Sequence, residues 1–383
     1  MLVVNQIING LAIGNVYAVI AIGFTLIFGV ANLINFAHGS VFMIGAYTGW
    51  LLAVFLGWPF LALLPVVMLI CAALGILIER LALRPLAGAP PIAPLLSTIA
   101  IAIIIDRAAE LIFTPETQPF PALLPAGVIP LGGVSITTLD LIVAAVGITC
   151  AGALYLFLRY HRFGWAIRAT AQDRVAAAQM GVDVDRVTSV TFGIGSALGG
   201  VAGVLVGQYF ASISPAMGFQ FGLKGFAAAI IGGLGHLPGA VAGGLLLGVA
   251  EALGIQFLAT DYRNLIAFLL LILVLLLRPG GLFGRATVFQ GSTATAAFFA
   301  AGRPVALPRW LIGLAIAAAL ALPLVVNSIP ALPASYILRV LATGFIFAIL
   351  AVSLNLVAGV TGQVSIGHAA LYGIGAYAVG LLM

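Results

Sequence analysis

Long apolar runs separated by short polar breaks fill most of the chain. They cover residues 7–29, 41–56, 60–78, 91–113, 139–158, 188–211, 264–277, 310–326 and 338–358. Crossing the hydrocarbon core of a bilayer takes about 20 apolar residues in helical form, so these runs predict membrane-spanning helices. They are continuous rather than alternating, which argues against a transmembrane β-barrel. The expected fold is all-α, a polytopic helical membrane protein. One stretch departs from the pattern. Between 224 and 257, two short apolar pieces flank GGLGHLPG at 232–239, which predicts either two short spans or a broken, re-entrant pair. Broken helices at membrane depth line protein-buried cavities, so Gly232 and Gly233 are candidate helix-break or pathway residues. The Pro- and Gly-rich stretch 114–133 of the outer connection is expected to be irregular.

The pattern also repeats. Offset by 330 positions, residues 15–52 and 345–382 share one layout: an apolar run, a Gly-Val break, a short polar segment with a histidine, and a second apolar run. His38 falls on His368, and Ile-Gly-Ala-Tyr at 44–47 falls on 374–377. Chance matching of Ala, Gly and Leu does not readily place a histidine and a tyrosine in register as well, so this is read as an internal repeat. Residues 284–309 are richer in Ser, Thr, Ala and Arg and carry no sustained run. The organisation expected is a first unit over 1–284 of about eight spans or broken spans, a linker over 285–309, and a second unit over 310–383. The second unit reads as incomplete, because the chain stops one helical pair into the repeat.

Composition supports the class. Of 383 residues, 63% are apolar and 7% charged, against about 25% charged in soluble domains. The net charge of +5 follows topology rather than marking a nucleic-acid surface. Arg80 and Arg84, then Arg159, Arg162, Arg168, Arg174 and Arg186, then Arg278, Arg285, Arg303 and Arg309 supply 11 of the 15 basic residues, whereas 114–138 holds none. Basic connections stay cytosolic. The linker is therefore expected on the cytosolic side, the first span runs inward, and 338–358 runs in the same direction, so the two copies are parallel.

Few residues could carry chemistry. At the breaks, Asn35, His38, Gly39 and Ser40, with Gln363, Ser365 and His368 in the second copy, could line a path. The favoured reading of the histidines is structural, an imidazole satisfying backbone groups that the broken helix leaves free. Asp106, Arg107 and Glu110 lie toward the outer end of 91–113 and suit an outer-mouth or structural role. Glu251, embedded in AGGLLLGVAEALG, must face protein or water, with Lys224 or Arg263 as its partner. Cys71 and Cys150 read as small core hydrophobes. No metal site and no nucleophile–base pair is evident, so no catalytic residue is expected, and the chain has no G-x-x-x-x-G-K-[ST] loop to bind ATP. The strongest candidate is TAQDRVAAAQMGVD at 170–183, which predicts a short cytosolic helix. Asp173 suits its first turn, Gly181 suits the position past its end, and apolar Val175 and Met180 suit a docking surface.

These stretches resemble a known family. NGLAIGNVYAVIAIGFTLIFGVANLINFAHGSVFMIGAY, RATAQDRVAAAQMGVDVDRV, SISPAMGFQFGLKGFAAAIIGGLGHLPGAVAGGLLLG and the closing LLLRPGGLFG look like the inner-membrane permease of branched-chain amino acid ABC importers. Residues 310–383, with NLVAGVTGQVSIGHAALYGIGAYAVGLL, resemble the start of the second permease of the same importer, so the chain looks like a fusion. The resemblance implies import of leucine, isoleucine and valine across the bacterial inner membrane. It implies a periplasmic substrate-binding protein, a second permease and two ATPase subunits as partners, which bind the ATP and magnesium. The chain itself would hold no cofactor and bind no nucleic acid. It also implies that Asp173, Arg174, Val175, Ala176, Ala177, Ala178, Gln179, Met180 and Gly181 form the coupling helix that enters the ATPase groove. Related permeases carry urea, short amides or other amino acids. From the residues alone, an ion-coupled secondary transporter using Asp106, Glu110 and Glu251 is the alternative of another class.

Overall fold

The computed structural model describes residues 2–89, 92–125, 127–131, 134–284, 308–328, 333–357, 365 and 367–383. The chain packs as two compact units, Met1–Val288 and Phe289–Met383. The first contains α1 (Leu2–Ala31), α2 (Ala37–Leu56), α3 (Phe60–Ile78), α4 (Ile92–Phe113), α5 (Thr138–Tyr160), α6 (Arg162–Gln172), α7 (Arg174–Gln179), α8 (Val184–Phe210), α9 (Met217–Gly232), α10 (Leu237–Phe257) and α11 (Arg263–Leu277). The second contains α12 (Arg309–Ser328), α13 (Ala334–Asn355) and α14 (His368–Leu382). Among the described residues eight helices are long and apolar enough to cross a membrane, seven of them on the apolar runs above and the eighth Leu237–Phe257, while the runs 91–113 and 310–326 form helices outside that set. Most of the 285–309 linker lies outside the described residues, and Arg309 already belongs to α12.

The first unit is built around α1 and α8, which are buried along most of their length. Small residues make this possible. In lipid no hydrophobic effect drives helices together, so close packing must do it, and packing is closest where side chains are absent. A Cβ added at Gly14 on α1 would lie 2.9 Å from the Gly244 oxygen and from Leu245 Cα on α10. Gly45 on α2 meets Gly200 on α8 just as closely, leaving no room for a methyl group.

The two ends of the unit differ chemically. One end gathers the α1–α2 break, the ends of α3, α5 and α11, the starts of α4 and α8, and the α9–α10 turn. There Arg84 Nη2 donates to the Asp185 backbone oxygen at 3.2 Å, and the Leu282 and Phe283 amides donate to Ile231 and Gly232. Arg80, Arg84, Arg159, Arg162, Arg174, Arg186 and Arg278 lie on the connections of this end. At the other end, Asn5 on α1 accepts from Ser135, Gln6 donates to Gln256, and Trp50 donates to the Pro119 oxygen. The charge asymmetry makes the first the cytosolic end.

Several boundaries differ from the sequence pattern, each for a local reason. Helix α9 begins at Met217, seven residues before the apolar piece at 224, because Met217, Gly218 and Gly222 are buried and Phe221 is half-buried despite weaker hydropathy. The 232–239 segment separates two helices, α9 and α10, as in the first of the two arrangements expected. It is a tight turn joining α9 to α10, with Gly233 (φ 105°) and Gly235 (φ 85°) in the region that favours glycine. His236 caps α10 by accepting from the Gly239 amide at 3.0 Å. The stretch 114–133 is not wholly irregular. Val128–Leu131 pairs antiparallel with Val134–Thr137, and Gln118–Pro119 pairs with Ser212–Ile213. The β-branched residues there satisfy their backbone in paired strands that helix periodicity does not reveal. Helix α3 runs on beyond Ile78 through a π-helical turn at Glu79–Leu83, and α8 begins at Val184, capped by Asp183.

Candidate functional site

The predicted coupling segment folds as a short helix with both ends closed by its own residues. Asp173 is its N-cap rather than part of its first turn, accepting from the Val175 and Ala176 amides at 2.8 and 3.0 Å. At the other end Gly181 has φ 84° and donates to Ala178, while Val182 donates to Ala177. That double closure is the Schellman arrangement, which needs a residue tolerant of positive φ at this place. Arg174, Ala176, Ala178 and Gln179 are exposed, as are Val175 (68%) and Met180 (85%). Ala177, by contrast, turns into the protein at 5% exposure. Six residues are too few to hold a helix alone, so the caps and Ala177 fix it in place.

Beneath it, a buried polar knot joins α3 to α8. Ser189 donates to Glu79 Oε2 at 2.6 Å, and Arg84 donates to Ser189 Oγ at 3.0 Å. Arg84 Nε also sits 3.3 Å from Glu79 Oε1. Arg174 of α7 and Asn32 and Leu33 of the α1–α2 break line one cavity of about 290 Å³ with Glu79 and Arg84. The cytosolic helix, the π-helical turn and the first break therefore meet at one place. Sequence reading missed Glu79 and Ser189. The only signal was an acid directly before the basic cluster at the end of an apolar run.

At the α1–α2 break the freed backbone groups find partners other than histidine. Asn32 closes α1 at φ 52° and donates to Phe28, Asn35 Oδ1 accepts from the Ala37 amide at 3.1 Å, and Thr98 accepts from Phe36. His38 does not perform the capping expected of it. It is fully buried, it faces the Ile20 backbone without hydrogen-bond geometry at either nitrogen, and its ring edge meets Phe24 at 4.6 Å. The imidazole fills a notch left by two glycines: a Cβ at Gly23 would lie 2.6 Å from its Nε2, and one at Gly199 3.1 Å from its Cε1. Gly39 packs against Gly218 and Gly222, and Ser40 donates to the Ala102 oxygen. In the second unit His368 Nε2 lies 2.6 Å from Ser353 Oγ, Ser365 is half-buried, and Gln363 lies outside the described residues.

The notch gives a measurable expectation. Gly23→Ala should destabilise the protein by about 1–3 kcal/mol through overpacking, read as a lower melting temperature in detergent. The same change in a His38→Ala background should cost less, the contact left being the Gly195 backbone oxygen 3.0 Å from the added Cβ. An equal loss in both backgrounds would show that the imidazole is not what fills the space.

The intramembrane acids have separate partners. Glu251 is 2% exposed and Lys224, the chain's single lysine, 5%, with Lys224 Nζ 2.9 Å from Glu251 Oε1. Of the two partners expected for Glu251, the structure selects Lys224. Tyr17 Oη, unnoticed in the sequence, donates to Glu251 Oε2 at 2.8 Å. Glu110 pairs with exposed Arg107, and Asp106 faces Ser40. Among the described residues no group of three metal-ligating side chains occurs.

Comparison with known proteins agrees over most of the chain. Residues 6–275 match the family model described as branched-chain amino acid transport system, permease component. The high-affinity branched-chain amino acid transport system permease protein BraD of Pseudomonas aeruginosa is 40% identical over 295 residues, covering 74% of this chain and 96% of that protein. The corresponding protein LivH of Escherichia coli K12 is 40% identical over 296 residues with the same coverage. A probable branched-chain amino acid transport permease of Methanocaldococcus jannaschii is 31% identical over 289 residues, 70% of this chain and 89% of that one.

Proposed function

This chain belongs to the permease-component family of branched-chain amino acid transport systems, and we propose that it is the membrane path subunit of an ATP-driven importer of leucine, isoleucine and valine. The observation that carries the proposal is the capped helix α7 at the Arg-rich end, with Val175 and Met180 presented outward in a chain that has no P-loop of its own. An apolar pair on a rigid, exposed helix suits insertion into a groove on a soluble ATPase. ATP and magnesium belong to two such ATPase subunits. A periplasmic binding protein delivers the amino acid, and the membrane is the bacterial inner membrane. Closure of the ATPases moves α7. The adjoining start of α8 and the Glu79–Arg84–Ser189 knot pass that motion to α3 and the α1–α2 break, shifting the bundle between outward- and inward-facing states.

Residues 310–383 are the opening of a second permease fused to the first. The internal repeat supports this, since α13 and α14 restate the α1–α2 layout with His368 beginning α14 as His38 begins the first buried turn of α2. None of the described residues of α13 or α14 is buried, which leaves both helices free to pack against the rest of such a permease.

Substrate competition tests the reading. Labelled leucine uptake by the assembled importer should be suppressed by excess isoleucine or valine and untouched by urea or acetamide. Uptake of urea with no uptake of leucine would place the chain among the amide-type permeases instead.

A further inference from the structure

We propose that Lys224, Arg263 and Asp261 bind the charged head group of the transported amino acid at the non-cytosolic end of the first unit, with Phe221 beginning the apolar wall for its side chain. The proposal rests on the amino acid import reading above. In a chain with 7% charged residues the single lysine stands out by its place, inside the bundle on α9. Burying an ion pair contributes little net stability, because removing two charges from water offsets most of their attraction. An intramembrane pair is therefore better explained by a ligand it serves than by the fold it holds.

Three observations point to that ligand. First, the buried charges are uneven. Lys224 pairs with the buried Glu251, which already accepts from Tyr17, while the carboxylate that shares the cavity with Arg263, Asp261, is exposed. Second, Arg263 Nε is buried with no hydrogen-bond partner, while the guanidinium lies 5.5 Å over the Phe210 ring. A buried donor left unpaired is costly, and a carboxylate is the acceptor that best suits it. Third, there is room. A cavity of about 260 Å³ is lined by Lys224, Arg263, Asp261, Asn264, Gln220 and Phe221. A zwitterion seated there places its carboxylate between Lys224 and Arg263 and its ammonium on Asp261.

The rest of the surroundings suit a branched side chain. The Phe221 ring lies 5.6 Å from Phe210, 5.7 Å from Phe42 and 6.3 Å from Tyr17, so an aromatic surface adjoins the charges. Glu251 and Tyr17 are positioning residues, since they hold the Lys224 ammonium beside the cavity. The Thr260–Tyr262 turn borders the cavity at the end opposite the Arg-rich cytosolic connections. An amino acid released outside the membrane would meet this station first.

The test is the amount of leucine moved per ATP hydrolysed by the full chain, assembled in proteoliposomes with the second permease, the ATPases and a leucine-loaded binding protein. Arg263→Gln should lower that ratio about tenfold or more, the size expected for losing one charge-assisted hydrogen bond, and Arg263→Lys should recover most of it. Asp261→Asn, at an exposed position that the fold does not need, should lower it in the same sense, and it serves if the arginine variant does not fold. A merely structural role would lower transport and hydrolysis together, so a ratio at the wild-type value in both variants overturns the proposal. A wild-type assembly that hydrolyses ATP but moves no leucine overturns the import reading itself, and this proposal with it.

Discussion

Glu251→Leu is expected to destabilise the protein by about 3–5 kcal/mol, enough to remove much of the folded population in detergent. The change leaves the Lys224 ammonium buried at 5% exposure with its countercharge gone, and strips Tyr17 of its acceptor. An unpaired buried charge has no water to turn to, whereas the pair itself adds little beyond its own desolvation. The loss should therefore be largely reversed by a second change. Lys224→Met together with Glu251→Leu should recover most of the lost melting temperature, because two apolar side chains of similar length fill the same space and only the Tyr17 hydroxyl is left without its acceptor. A single Glu251→Leu variant that melts like the wild type would show that the pair is solvated or already neutral.

Val175→Asp with Met180→Asp should abolish ATPase stimulation and uptake while the protein stays folded and inserted. Both side chains are exposed, so their replacement disturbs no internal packing, and two carboxylates desolvated in an apolar groove would be strongly unfavourable. Ala177 behaves differently. At 5% exposure it packs inward, so Ala177→Arg should lower the melting temperature as well as activity, and cannot report on docking alone. Stimulated hydrolysis at the wild-type level in the Val175/Met180 double variant would place the ATPase contact elsewhere.

The parts that sequence reading reached are those governed by one-dimensional physics. Apolar runs of membrane length became helices at 37–56, 60–78 and 138–160 with ends displaced by a few residues. The Gly181 end of α7 was legible because capping depends on a few neighbouring residues, while the pattern puts Asp173 in the first turn of the helix that it caps. The Glu251 partnership was half legible: a carboxylate in an apolar helix demands a cation, but two were in range, and only the packing of α9 on α10 selects Lys224. What stayed hidden depends on distant segments meeting. Nothing local connects Tyr17 to Glu251 or Glu79 to Ser189. His38 shows the same limit in reverse. A histidine at a helix break suggests capping, but Asn32, Asn35 and Thr98 satisfy that break, and the imidazole fills space opposite Gly23 and Gly199. The strand pair Val128–Leu131 and Val134–Thr137 was obscured by the prolines and glycines of this connection, which mark turns more plainly than the strands between them.

The central claim is that ATP bound by partner subunits drives the amino acid through this chain. Its most direct measurement is leucine accumulation in proteoliposomes holding the chain with the second permease, the ATPases and the binding protein, with ATP supplied on the ATPase side and all ion gradients dissipated. Leucine should accumulate under those conditions and fail to accumulate when ATP is omitted. Accumulation driven by a proton or sodium gradient without ATP would contradict the claim.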